Sequence, residues 1–133
     1  FITAVYAVLD PDSHTLEYVC CGNPPPLHLH ANTRPEILKV HGPALGVFRR
    51  VGYTAQKVVM QSGDMAALYT DGVVELTNSA GEEYGPERLA HALQQGKDEP
   101  AEALLQRVIK DTQAFSGSKS HPDDFTLVII KRL

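Results

Sequence analysis

Three carboxylates stand where apolar runs end or begin. In "LYTDGVVE" (Leu68 to Glu75) a strand-like run stops at Asp71 and Gly72, and in "HPDDFTLVII" Asp123 and Asp124 come just before one. Strands of one sheet can set such ends side by side. Carboxylates gathered at a sheet edge repel one another unless a cation joins them. Hard divalent ions such as Mg²⁺ and Mn²⁺ take oxygen ligands of this kind. Gly72 lets the backbone turn sharply or come close to an ion. The plain alternative is a pair of turns, since Asp-Gly after a strand is ordinarily a turn and Asp-Asp before one a solvated loop. Spacing alone favours the plain alternative.

The remaining reactive side chains offer less. His28 and His30 lie two apart in a strand and share a face. Two histidines on one face could hold zinc, but no third ligand has suitable spacing. His121, two residues before Asp123, is of a type that donates protons to leaving groups; it reads as a loop residue. The serines sit in turn-like surroundings, none in a G-x-S-x-G elbow. "SGSKS" follows no strand and has no phosphate-loop pattern. Cys20 and Cys21 are adjacent, lack C-x-x-C spacing and read as small strand residues in a reducing cytoplasm.

The bulk numbers exclude some classes. The chain has 133 residues and a formal net charge of -4, with its Lys and Arg scattered. That speaks against a nucleic-acid partner, which would want a clustered basic surface. No apolar run approaches the roughly 20 residues of a membrane span, and no signal peptide is visible. The opening "FITAVYAVLD" begins inside a strand without a methionine. It leads to the expectation that the chain is a piece of a longer protein.

The elements that must position the carboxylates follow from pattern. Strands are expected over 2–9, 16–21, 27–30, 36–40, 53–60 and 65–70, with a turn at "DPDSHT". The prolines of "GNPPPLHLH" break the second from the third. Residues 72–78 read as a short helix or turn. Pro86 opens a helix that Gly96 ends. A second helix runs from about Pro100 to Phe115 on one apolar stripe of Ala101, Leu104, Leu105, Val108, Ile109 and Phe115. A last strand covers 125–133. Strands, then helices, then a strand suggest an α+β arrangement with a mainly antiparallel sheet. No linker divides 1–133, so one domain is expected.

The joint order of motifs resembles a known family. "GDMAALYTDGVVELTNSAGEEYGPERL" (Gly63 to Leu89) is similar to the metal-dependent protein phosphatases, the type 2C-like (PPM) superfamily, in its bacterial SpoIIE/RsbU-type branch of serine phosphatases. The shared features are a Gly-Asp turn, an apolar strand, Tyr-Thr-Asp-Gly, a glutamate, an asparagine, Gly-Glu with an aromatic and Gly, then Glu-Arg-Leu. "PDDFTLVII" resembles the family's closing motif, "GPALGV" its Gly-x-Pro-Leu-Gly loop, and the first 29 residues its middle hairpin and Gly-x-x-Pro segment. The resemblance covers essentially the whole chain.

The resemblance implies an antiparallel β-sandwich flanked by helices, with the amino-terminal portion of the domain lying upstream. It implies a two-metal centre of Mn²⁺ or Mg²⁺ at one end of the sandwich. Asp71 and Asp123 match metal aspartates. Asp124 matches a position that is Asp or Asn in the family, so it is the weaker candidate ligand, and Gly72 lies near the site in the backbone. No protein nucleophile is implied: a metal-bound hydroxide would attack phosphoserine or phosphothreonine in line. The implied partner is a phosphorylated protein of the anti-sigma-factor antagonist type, with a sensory or receiver module upstream and a homodimer left open. The family's opening Asp-containing motif is absent, so the piece alone is expected to bind metal weakly and hydrolyse little. Many relatives carry Ala-Gly-His where this chain has Cys21-Gly22-Asn23. Two rivals remain: a degenerate phosphoprotein-binding module of the same fold, and a structural sandwich whose aspartates only make turns.

Overall fold

The computed structural model describes residues 1–39, 42–121 and 123–133. Two antiparallel sheets form its framework. The first joins β1 (Ala4–Asp10), β2 (Thr15–Cys21) and β5 (Gln56–Val59) in the order β1-β2-β5. The second joins β3 (Leu27–Leu29), β4 (Glu36–Ile37), β6 (Met65–Tyr69) and β7 (Leu127–Lys131) in the order β4-β3-β6-β7. A four-residue helix α1 (Asp71–Val74) follows β6 directly, and α2 (Gly85–Gln95) and α3 (Ala101–Ser116) come next. The expected α+β sandwich with flanking helices is present. Val40, the end of the strand expected over 36–40, lies outside the described residues, as do His41 at the head of the glycine loop and Pro122 of the closing motif.

The period-2 alternation of strands divides the core. Leu27 and Leu29 of β3 and Met65, Ala67 and Tyr69 of β6 cluster with Val73, Leu89, Leu93, Leu104 and Val108 from the helices. The intervening Ala66 turns the other way and packs with Leu16 of β2 and Met60. The four-stranded sheet is thus a middle layer, helices on one face and the other sheet on the opposite face. Burying one such aliphatic side chain contributes roughly 1.5–3 kcal/mol. In α3, Leu104, Val108 and Thr112 recur every four residues and are buried. Tyr84, at the head of α2, donates its hydroxyl hydrogen bond to Asp111 of α3 and meets Phe115 edge-on, tying the helices together. Burial, and after it the Asp111 carboxylate, pushes the Tyr84 phenol above its ordinary range, so it stays a donor.

The rapid passage from β6 into α1 matters most for function. A buried strand delivers the chain to Thr70, and the next residue, Asp71, already starts a helix. The carboxylate is therefore set at the strand's end by two rigid elements rather than by a free loop.

Candidate functional site

The two carboxylate-bearing stretches meet. β6 and β7 pair antiparallel from Met65↔Lys131 to Tyr69↔Leu127, which sets the end of β6 beside the start of β7. The pairing runs on past the strands. Thr70 N–H donates to the Thr126 carbonyl at 3.1 Å. The Thr70 hydroxyl accepts from Thr126 N–H at 3.1 Å and donates to the Asp124 carbonyl at 2.9 Å. One threonine side chain thus fastens the segment before Asp71 to the segment after Asp123.

Gly72 closes the approach. A Cβ at Gly72 would collide with the Asp124 carbonyl oxygen and stand 3.4 Å from the Asp123 carbonyl carbon. Only a residue without a side chain lets α1 start this close to the Asp124 carbonyl group. The glycine of "TDG" is there for backbone contact, not for an unusual dihedral angle.

The carboxylates themselves are little engaged. Asp71 accepts from the N–H of Gly72 at 3.0 Å and Asp123 from the N–H of Asp124 at 2.7 Å, each through one oxygen. Both side chains, and that of Asp124, are exposed. Among the described residues no Lys, Arg or His forms an ion pair with any of the three. Acids held at one sheet end by backbone bonds, without a cationic partner, suit a hard divalent ion. Asp124 differs from its neighbour in one respect: its backbone carbonyl is committed to Thr70.

A cleft of about 400 Å³ opens beside Asp71, lined in part by Asn23, Pro24, Tyr69, Glu75 and Glu83. Tyr69 is buried and its hydroxyl has no partner among the described residues. Burial, then the nearby acidic groups Glu87 and Cys20, push its phenol well above the ordinary range, so it stays protonated beneath the cleft. This orphaned donor was missed in the sequence, where Tyr69 reads as a strand residue. In the sequence, Asn23 stands out only as a departure from a motif.

The other candidates go elsewhere. His121 meets Phe125 ring to ring at 4.3 Å and lies 3.3 Å from the Thr112 hydroxyl, so it packs against α3. Cys20 and Cys21 are free and buried. Burial, and then the neighbouring Cys21, raise the Cys20 thiol to about 11, which leaves it unreactive. His28 and His30 do share a face, and a ligand-type residue distant in sequence, Asp64, joins them.

Comparison with known proteins places this geometry. The sheets and helices superpose on the SiaA-PP2C domain of Pseudomonas aeruginosa with a TM-score of 0.83 at 18% identity, over 97% of this chain and 51% of that one. They also superpose on the phosphatase domain of the cell fate determinant SpoIIE from Bacillus subtilis, in a manganese-presoaked crystal, with a TM-score of 0.76 at 12% identity, over 98% of this chain and 56% of that one. The fold is that of the PP2C-type phosphatase domains. The family described as Stage II sporulation protein E (SpoIIE) matches residues 1–133, and the chain belongs to it. Protein IcfG of Synechocystis sp. (strain ATCC 27184 / PCC 6803 / Kazusa) is 28% identical over 99% of this chain and 21% of its own length. Phosphoserine phosphatase RsbU of Bacillus subtilis (strain 168) is 27% identical over 99% of this chain and 39% of its own. The chain thus spans well under half the length of these relatives. No helix among the described residues is long and apolar enough to cross a membrane.

Proposed function

We propose that residues 1–133 form one unit of a metal-dependent protein serine/threonine phosphatase. Asp71 and Asp123 hold the ions, Mn²⁺ or Mg²⁺, and Asp124 serves through its backbone carbonyl rather than its carboxylate. Bound there, a two-metal centre supplies an activated water and charge that offsets the phosphoryl oxygens. The residues of this chain do the positioning. Thr70 and Gly72 hold the two acidic segments together. No side chain acts as nucleophile. The substrate is a phosphorylated protein, of the anti-sigma-factor antagonist type that the resemblance implies, and the setting is the cytoplasm.

The observation that carries this reading is the Thr70 bridge. It joins two segments 54 residues apart in sequence at one point. Ordinary turns have no need of it.

The test is phosphate release from a phosphoserine protein by the full gene product, after chelator treatment, with and without Mn²⁺. Metal-dependent turnover that collapses in Asp71→Asn and in Asp123→Asn supports the reading. Turnover indifferent to both substitutions sinks it. Binding of the phosphoprotein and of Mn²⁺ without turnover would turn the reading to a non-catalytic binder.

A further inference from the structure

A second group of metal-ligand residues lies at the other end of β6. The β3–β6 register pairs Leu29 with Met65 and His28 with Ala66, so the next residues outward, His30 and Asp64, come opposite each other. Period-2 alternation then turns His28, His30 and Asp64 toward the same side, that of Ala66. His28 Nε2 lies 3.0 Å and His30 Nδ1 3.7 Å from Asp64 Oδ2. The three ligand atoms all lie within 4.8 Å of one another.

We propose that His28, His30 and Asp64 form a mononuclear site for a borderline transition-metal ion of the Zn²⁺ class, separate from the Asp71–Asp123 centre. Bond lengths of 2.0–2.2 Å to nitrogen and oxygen place the edges of a tetrahedral zinc site at about 3.3 Å. The 3.0 and 3.7 Å separations straddle that value. The third edge closes by turning the His30 ring, whose side chain is 32% exposed. Two imidazoles and one carboxylate suit zinc over Mg²⁺ or Ca²⁺, which prefer all-oxygen shells. The same exposure leaves a fourth position for water.

Two further features belong to a built site. His30 presents its other nitrogen, Nε2, to Glu36 Oε2 at 3.7 Å. A carboxylate behind the distal nitrogen of a ligating histidine fixes ring orientation and raises basicity. Asp64 is itself held rigidly, for its Oδ1 accepts from Ala31 N–H at 3.0 Å and its Oδ2 from Gln61 N–H at 2.8 Å. Gly63, at φ +84°, makes the turn that brings Asp64 back to Gln61. Without metal, the His28 proton occupies the Nε2···Oδ2 line. Coordination moves that proton to Nδ1 and frees the Nε2 lone pair. The ion would clamp β3 to the turn before β6.

The test is isothermal titration of the full gene product with Zn²⁺ after chelator treatment. An Asp71→Asn/Asp123→Asn variant silences the other centre. The expected result is one Zn²⁺ bound by that variant, an affinity at least tenfold weaker when His30→Ala is added, and one about tenfold weaker with Glu36→Gln. His30 is partly exposed, so its substitution leaves the core intact, and circular dichroism checks this. In the same Asp71→Asn/Asp123→Asn variant, Zn²⁺ raises the melting temperature, and Co²⁺ substituted into the site gives a tetrahedral visible spectrum. No Zn²⁺ bound by the Asp71→Asn/Asp123→Asn variant, or an affinity unchanged by His30→Ala, overturns the proposal.

Discussion

The two ends of β6 carry acids in opposite circumstances. Asp64, just before the strand, is 1% exposed and accepts three hydrogen bonds, from Gln61, Ala31 and His28. Asp71, two residues beyond the strand, is exposed and accepts one, from its own neighbour. Both positions are set by the same buried strand, Met65–Tyr69. The difference lies in what satisfies the charge. At the first end the protein already supplies hydrogen-bond partners, so the acid stabilises the fold with or without an ion. At the second it supplies only position, and the charge is left for something that binds. A carboxylate fixed in place yet unpaired is free to take a ligand, whereas one already hydrogen-bonded must share its oxygens to do so.

The largest effect should come from breaking the satisfied end. Asp64→Ala removes one partner of a buried pair and strands the amides of Gln61 and Ala31. A loss of about 3–5 kcal/mol in urea unfolding is expected. Desolvation works against the Asp64 charge, but the Gln61 and Ala31 amides and then the His28 ring outweigh it and hold its pKa below the ordinary 3.8. A depressed acid contributes stability above its unfolded pKa and loses it as pH falls through the folded value. The difference between wild type and Asp64→Ala should therefore be fully present at pH 7 and shrink below about pH 4. A difference that stays constant down to pH 2 would show that the charge is not what matters there.

At the other end the ranking inverts. Asp71→Asn should leave unfolding within about 0.5 kcal/mol, as for an exposed residue with no partner to lose. Its effect falls on Mn²⁺-dependent turnover, where losing several kcal/mol of metal-borne stabilisation means a drop of about a hundredfold or more. If Asp71→Asn destabilised the protein as Asp64→Ala does, the contrast between the two ends would fail.

Much of this was legible in the residues, and the gaps have physical causes. The apolar run into Asp71 and the run out of Asp123 are local patterns, and the strands they predict are present as β6 and β7. The helices were legible from Pro86, Gly96 and the stripe Leu104, Val108, with boundaries within a residue or so. Strand lengths were overread: 53–60 shortens to Gln56–Val59 because only four residues find partners on β2. The meeting of His28 and His30 with Asp64 was not legible, since no spacing rule links positions more than thirty residues apart; the β3–β6 register does. Tyr69 was hidden for a different reason. An aromatic that ends a strand looks like core until its hydroxyl is found without a partner.

Gly72→Ala probes how closely the two acidic segments must approach. The added methyl meets main chain rather than a flexible side chain, so α1 or the Asp124 carbonyl group must move. Overpacking of this kind costs about 1–3 kcal/mol. Calorimetric Mn²⁺ affinity should fall with it, because the movement separates Asp71 from Asp123. A variant that keeps both stability and affinity would mean that the close contact is incidental to the site.

Thr70→Val is the smallest change and the sharpest. It keeps the side chain's shape and β-branching and removes only the hydroxyl. Two bonds go, the one donated to the Asp124 carbonyl and the one accepted from Thr126 N–H. Asp124 and Thr126 are exposed, so water replaces the lost partners and the stability cost is about 1 kcal/mol. The Thr70 N–H bond to the Thr126 carbonyl survives, so the strands stay paired. Yet the acidic segments lose the tether that sets their spacing. Groups that orient metal ligands without touching the metal are worth about 10–100-fold in affinity. Thr70→Val should therefore weaken Mn²⁺ binding about tenfold while scarcely moving the unfolding curve. A substitution that moves both equally would make Thr70 a strand residue like any other. One that moves affinity alone would show that the exposed end of β6 is built to hold position, as the buried end is built to hold charge.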